Sequence, residues 1–202
     1  HKILSFRGSY HGVSIASITA SGEGKYLQRH GPGVQGMISV VPPDSYKGAY
    51  GTFDKKECEG KCLERIQQIV EEENANTIAA FIVEPVMREN GILDISDEFM
   101  NRLVEFCHEN GILFIADEVT TGFGRTGRYF ATEEWKNIPD ILCLGKGISS
   151  GYLPLSATLA TERVYEAFKG EGREFLHGST ASGHPACAAA GLATMDIMEK
   201  EN

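Results

Sequence analysis

The sequence predicts an α/β fold, a mostly parallel sheet with helices on both faces, and three observations carry the prediction. Short apolar runs recur along the chain and end in glycine, proline or acidic residues, as buried parallel strands do. Stretches with apolar residues at helical spacing lie between them. The two patterns alternate, and such alternation folds as strand and helix units layered on one sheet.

Taken in order, an apolar stretch near the start (Ile3, Leu4, Phe6) is left unassigned, and residues 22–36 read as a glycine-rich loop, mobile or covering a site. Strands are expected at 38–41, 78–83, 112–116, 141–144 and 156–160, all parallel. A helix over 58–73 carries Leu63, Ile66, Ile69 and Val70 on one stripe. A second over 96–110 carries Phe99, Leu103, Val104 and Phe106, with Ser96 as its cap and Asn110-Gly111 as its left-handed stop. The final stretch, 195–202, is helical in pattern.

At 202 residues, 42% apolar and 23% charged, the chain is sized and composed for one soluble domain. A formal charge of -9 argues against nucleic acid and anionic membranes as partners and leaves small molecules. No apolar run is long enough to span a bilayer, and five scattered cysteines fit a reducing compartment, so a cytoplasmic location is expected. Cys58 and Cys62 lie one helical turn apart but have no further ligands at metal spacing, and no metal is expected.

Two motifs point to other enzyme classes. Gly122-Phe-Gly124-Arg-Thr-Gly127 is a literal G-x-G-x-x-G after a strand, yet the next strand ends in Gly145-Lys146-Gly147 rather than in the acidic residue a dinucleotide site requires. A bent loop is the favoured reading. Gly147-Ile-Ser149-Ser-Gly151 has the form of a nucleophile elbow, with Glu162 and His177 or His184 available to complete a triad. A serine hydrolase using Ser149 is therefore the alternative from another class, although Tyr152, Leu153 and Pro154 make a poor helix start where the elbow needs one.

The stronger constellation lies on successive strand ends. Asp117 ends the most apolar run, and Lys146 ends the next between two glycines that let backbone approach a planar ligand. Taken singly, an acid or a lysine at a strand end is usually a cap or a solvated group. Paired about one strand–helix–strand unit apart, they are less common, and their chemistry is specific.

Tyr10-His11-Gly12, Val83-Glu84-Pro85, the run from Ala116 to Gly127, Leu144-Gly-Lys-Gly147 and the run from His177 to Pro185 together resemble, in order, the successive blocks of the class III aminotransferases, from end to end of the chain. The resemblance implies fold type I, the large domain of pyridoxal-phosphate transferases. It implies that Lys146 carries pyridoxal 5'-phosphate as a Schiff base and shuttles a proton, made neutral by burial behind its apolar strand and by the cationic ring. Asp117 would face the pyridine nitrogen, Tyr10 and Val119 would pack on the two ring faces, and His11 and Gly12 would shape the same turn. Glu84 would line the substrate side, paired with an arginine, and Thr180 would reach across a homodimer interface to the partner's cofactor phosphate. On physical grounds alone, Tyr10 equally suits a rim aromatic, Val119 ordinary core and Thr180 a turn.

Position 120 is Thr, where ornithine, acetylornithine and 4-aminobutyrate transaminases typically carry glutamine, and the intact glycine loop disfavours the glutamate-semialdehyde aminomutases. Omega-amino-acid:pyruvate-type transaminases and diaminopelargonate synthase remain, the latter echoed at 139–146. The family's upstream phosphate loop and downstream small domain are not in this sequence, so 1–202 reads as the cofactor-binding large domain and an internal piece of a longer chain. The expected activity is transfer of an amino group from an amine or omega-amino acid to a keto acid. A relic of the fold without catalysis is the remaining alternative.

Overall fold

The computed structural model describes residues 1–22 and 24–201. In chain order the first elements are β1 (Lys2–Phe6), α1 (Ile15–Ala20), α2 (Gly24–His30) and β2 (Met37–Val40). Next come α3 (Lys55–Glu73), β3 (Ile78–Val83), the short pair β4 (Val86–Met87) and β5 (Leu93–Asp94), and α4 (Asp97–Glu109). The rest comprises β6 (Leu113–Asp117), β7 (Ile141–Leu144), β8 (Ala157–Ala160), α5 (Glu162–Glu166) and α6 (Pro185–Glu201).

Six strands form one sheet in the order β2-β1-β3-β6-β7-β8. Every pairing is parallel except β7 with β8, which is antiparallel. The expectation of a parallel strand at 156–160 is thereby corrected. After Leu144 the chain runs through a 3-10 turn and an irregular loop, with no helix to return it to the opposite edge of the sheet. The unassigned opening stretch is a central strand, β1, and the loop expected over 22–36 holds the helix α2; Glu23 lies outside the described residues.

The core explains these elements. Leu4 pairs with Phe81 and Phe81 with Phe114, so these side chains and Phe6 share one face of the pleat. Helix α4 docks there, with Phe99 6.3 Å from Phe6, and Phe6 meets Phe81 edge-on at 5.2 Å. Leu63, Ile66 and Val70 of α3 join the same buried cluster. On the other face Ser5 aligns with Ser39, and the turn ending α1 presses so close that a Cβ at Gly22 would stand 2.5 Å from Ser39 Oγ. Helices thus cover both faces. Asp54 caps α3 three residues ahead of the expected start by accepting from Glu57 N at 2.7 Å. Ser96 caps α4 at Phe99 N, 3.1 Å, and Gly111 at φ 68° ends it. Among the described residues no helix is long and apolar enough to cross a membrane.

This topology delivers the candidate residues. Tyr10 follows β1, Glu84 follows β3, Asp117 ends β6 and Lys146 follows β7, all at the carboxyl edge of parallel neighbours, where α/β sheets bind ligands.

Candidate active site

Asp117 is buried and holds two neighbours in place. Its Oδ2 lies 2.7 Å from His11 Nδ1, and its Oδ1 accepts from Val119 N at 3.1 Å. An ionised carboxylate can only accept, so the His11 proton on that side belongs to Nδ1. Both side chains are nearly sealed, at 2% and 8% exposure, yet His11 Nε2 has no partner among the described residues. A buried ring nitrogen without a hydrogen bond is costly and marks a position where another polar group belongs. His11 is anchored from behind by Ser21 Oγ, which accepts from its backbone N–H at 2.9 Å. Gly12 makes the turn possible, because its φ of 120° disfavours any side chain.

Glu84 accepts from Tyr10 N at 2.8 Å, and also takes the backbone N–H of Arg88. Burial pushes its carboxyl pKa up, against the opposing pull of those donors. Through these donors Glu84 works as a brace joining the turn after β1 to the strand end of β3.

Lys146 leaves β7 in the left-handed region at φ 42°. Its Nζ donates to Thr120 Oγ1 at 2.7 Å. The flanking glycines also serve the protein's own packing. A Cβ on Gly145 would touch Val119 at 3.3 Å, and one on Gly147 would come within 2.9 Å of Phe123 Cβ. The expected burial of Lys146 is also corrected: the lysine is exposed, because the apolar cover of β7 stops with Leu144 and Gly145. Lys146 and Thr120 line a cleft of about 560 Å³, together with Val86, Thr121, Arg88 and Arg125. Three basic side chains and, among the described residues, no carboxylate line it, in a chain of net charge -9.

The two groups meet where Val119, fixed by Asp117, packs on Gly145, next to Lys146. Thr180 joins neither group in this chain; it sits exposed in a turn ahead of α6. Sequence reasoning did not single out Arg88 or Arg125. Arg125 lay inside the glycine motif already in view, whereas Arg88 follows a two-residue strand that no periodicity reveals.

Glu118, next to Asp117, is fully buried and organises the loop that follows. It accepts from Thr121 Oγ1, from Ala131 N at 3.2 Å and from Thr132 N at 2.9 Å. Glu118→Ala strands one buried and one half-buried backbone donor and is expected to destabilise the protein by about 3 kcal/mol, with Glu118→Gln losing less. Urea denaturation checks this; an unchanged midpoint for the alanine variant contradicts the bracing role. The loop itself is bent, as the sequence suggested. Phe123, Gly124 and Gly127 have positive φ, and turn hydrogen bonds such as Gly127 N to Gly124 O, 3.1 Å, replace the helix a dinucleotide site would open.

The hydrolase alternative finds no support. Ser149 is buried in a 3-10 turn and donates to Leu153 O at 2.5 Å, and Glu162 pairs with Lys169. Cys58 and Cys62 each donate to a backbone carbonyl beneath α3, and burial pushes the Cys62 thiol pKa up to about 12.

All residues, 1–202, match the family model described as "Aminotransferase class-III". The chain is 35% identical over its whole length to the adenosylmethionine-8-amino-7-oxononanoate aminotransferase of Methanocaldococcus jannaschii, covering 46% of that protein. It superposes with TM-score 0.94 and 39% identity on an amine transaminase from an uncultivated Pseudomonas species in its PLP-bound, internal-aldimine form, over 99% of this chain and 46% of the other. An (S)-enantioselective omega-transaminase of Thermomicrobium roseum gives 0.93 and 36%, over 99% and 44%. The fold is the one these transaminases share, and the chain spans about half the length of its curated relatives.

Proposed function

The chain belongs to the class III aminotransferase family, and from that premise we propose that residues 1–202 are the cofactor-binding large domain of a longer pyridoxal-phosphate transaminase. Its reaction moves an amino group from an amine or omega-amino acid to a keto acid. The observation that carries this reading is the convergence on one sheet edge of a lysine amine at an open cleft and a buried carboxylate braced by histidine.

The residues fit the cofactor. His11 Nε2 is a buried polar atom in want of a partner beside Asp117, and the cations lining the cleft suit anionic groups. Lys146 would hold pyridoxal phosphate covalently through Nζ, and Asp117 would hold a proton on the ring nitrogen. Tyr10 and Val119 would flank the ring, with His11, Gly12 and Glu84 shaping the wall behind. Thr180, exposed here, would serve the phosphate of a second subunit in a homodimer. When bound, the cofactor supplies an electron sink for the pair released as a substrate C–H bond breaks.

The chain's own groups do the rest. Lys146, as the neutral amine, would take the proton from the substrate carbon and, as the ammonium, would deliver it to the cofactor's carbon, the transfer that the second half-reaction runs in reverse. The His11 N–H and the Val119 N–H hold Asp117 still, so no reorganisation is needed as charge shifts. Arg88 and Arg125 offer cations to the carboxylate of a keto acid. All five cysteines are free, which fits a reducing, cytoplasmic setting. A second reading within the same chemistry, a diaminopelargonate-synthase-type aminotransferase, is favoured by the Methanocaldococcus relative.

The test supplies the whole protein with pyridoxal phosphate, pyruvate and a panel of amines and omega-amino acids, and follows alanine. Alanine formation with one or more donors is expected. No transfer with any donor or keto acid, by protein that holds its cofactor, contradicts the reading.

A further inference from the structure

Lys146 carries a long, exposed side chain, and among the described residues neither burial nor an acidic partner restrains it: no carboxylate lines its cleft, and two arginines do. Its described hydrogen bond goes to Thr120 Oγ1, 2.7 Å away. Both ends of that contact rest on fixed backbone. On one side, Thr120 stands between Val119, whose N–H is on Asp117, and Thr121, whose hydroxyl is on Glu118, and its β-branched side chain is stiff. On the other, Gly145 packs on Val119, Gly147 packs on Phe123, and Ile148 N closes the turn on Gly145 O at 3.1 Å. The flexible part that remains is the lysine itself.

We propose that Thr120 is the positioning residue for the Lys146 amine, a hydroxyl that holds Nζ in one place whether or not it carries the transferable proton. This deepens the transaminase reading of the same cleft and rests on it. The chemistry favours a hydroxyl over a carboxylate. A carboxylate only accepts, so it would favour the ammonium over the neutral amine and leave the amine lone pair without a donor. A hydroxyl accepts from the ammonium and donates to the amine lone pair, so the contact survives both directions of proton transfer. In this way the turn that fixes Asp117 also fixes the lysine, and the proton donor and the ring-nitrogen partner keep one geometry.

The experiment compares Thr120→Val, nearly isosteric but without the hydroxyl, and Thr120→Ser, which keeps it, in the whole protein. Thr120→Val is expected to lower kcat on the order of tenfold with KM little changed, and to raise the deuterium isotope effect with a donor deuterated at the reacting carbon. Thr120→Ser recovers most of the rate. A second readout needs no turnover: in protein stripped of cofactor, an amine-specific acylating reagent followed by peptide mass mapping should modify Lys146 faster in Thr120→Val than in wild type or Thr120→Ser, with other lysines as the internal standard. Equal Lys146 labelling and an unchanged isotope effect in Thr120→Val overturn the proposal. Equal losses in both variants also overturn it, since they assign Thr120 a packing role. If the wild-type protein transfers no amino group, the transaminase reading fails, and the labelling contrast still decides the contact by itself.

Discussion

Lys146→Ala is expected to reduce amino transfer by at least about 10³-fold while leaving the fold intact, because it removes the group that moves the proton. Exposure of the side chain makes the structural half of this prediction specific: the variant loses one hydrogen bond to Thr120 and no core contact. Alanine at φ 42° is as ill-suited as lysine, so backbone strain neither grows nor relaxes much. Stability should stay within roughly 0.5 kcal/mol of wild type. Steady-state kinetics and thermal melting on the whole protein check both halves. Turnover above a hundredth of wild type, or a collapsed fold, contradicts the assignment of Lys146 as an exposed catalytic amine.

Asp117→Ala is expected to cost activity and stability together. The electrostatic contribution of one buried, preorganised charge is on the order of 10²–10³-fold in rate. In addition, the variant leaves His11 Nδ1 and Val119 N without their acceptor, a loss of roughly 2–4 kcal/mol. Asp117→Asn separates the two effects. Its amide oxygen can still accept one of those hydrogen bonds, so urea denaturation should show part of the stability restored, whereas the missing charge keeps kcat low. Wild-type kcat in the asparagine variant would mean that Asp117 is only a brace for the turn at His11.

Much of the fold was legible because burial imprints itself on the order of residues. The strands at 78–83 and 141–144 have the bounds that their apolar runs suggested, and Ser96 and Asn110-Gly111 bracket α4 as capping chemistry requires. Direction is not imprinted in that way: an apolar run such as 157–160 reads alike whichever way it pairs, and the connection after Leu144 decided it. The opening strand escaped because Lys2 and Ser5 break its apolar run, unlike the continuous runs at 78–83 and 141–144. At the site, chemistry at strand ends was visible in Asp117 and Lys146, since parallel topology sends such ends to one edge. What each residue touches was not. The glycines beside Lys146 answer to Val119 and Phe123, Glu84 binds backbone N–H groups, and Thr120 meets the lysine from a different strand end. Such contacts depend on the register between strands, which no single strand records.

The most direct test of the central claim is chemical. The whole protein, equilibrated with pyridoxal phosphate, is reduced with borohydride, digested and mapped by mass, with Lys146→Ala treated in parallel. The expected result is one cofactor adduct, on the peptide carrying Lys146, absent from the variant. An adduct on another lysine, an adduct that persists in Lys146→Ala, or no adduct at all would contradict the account.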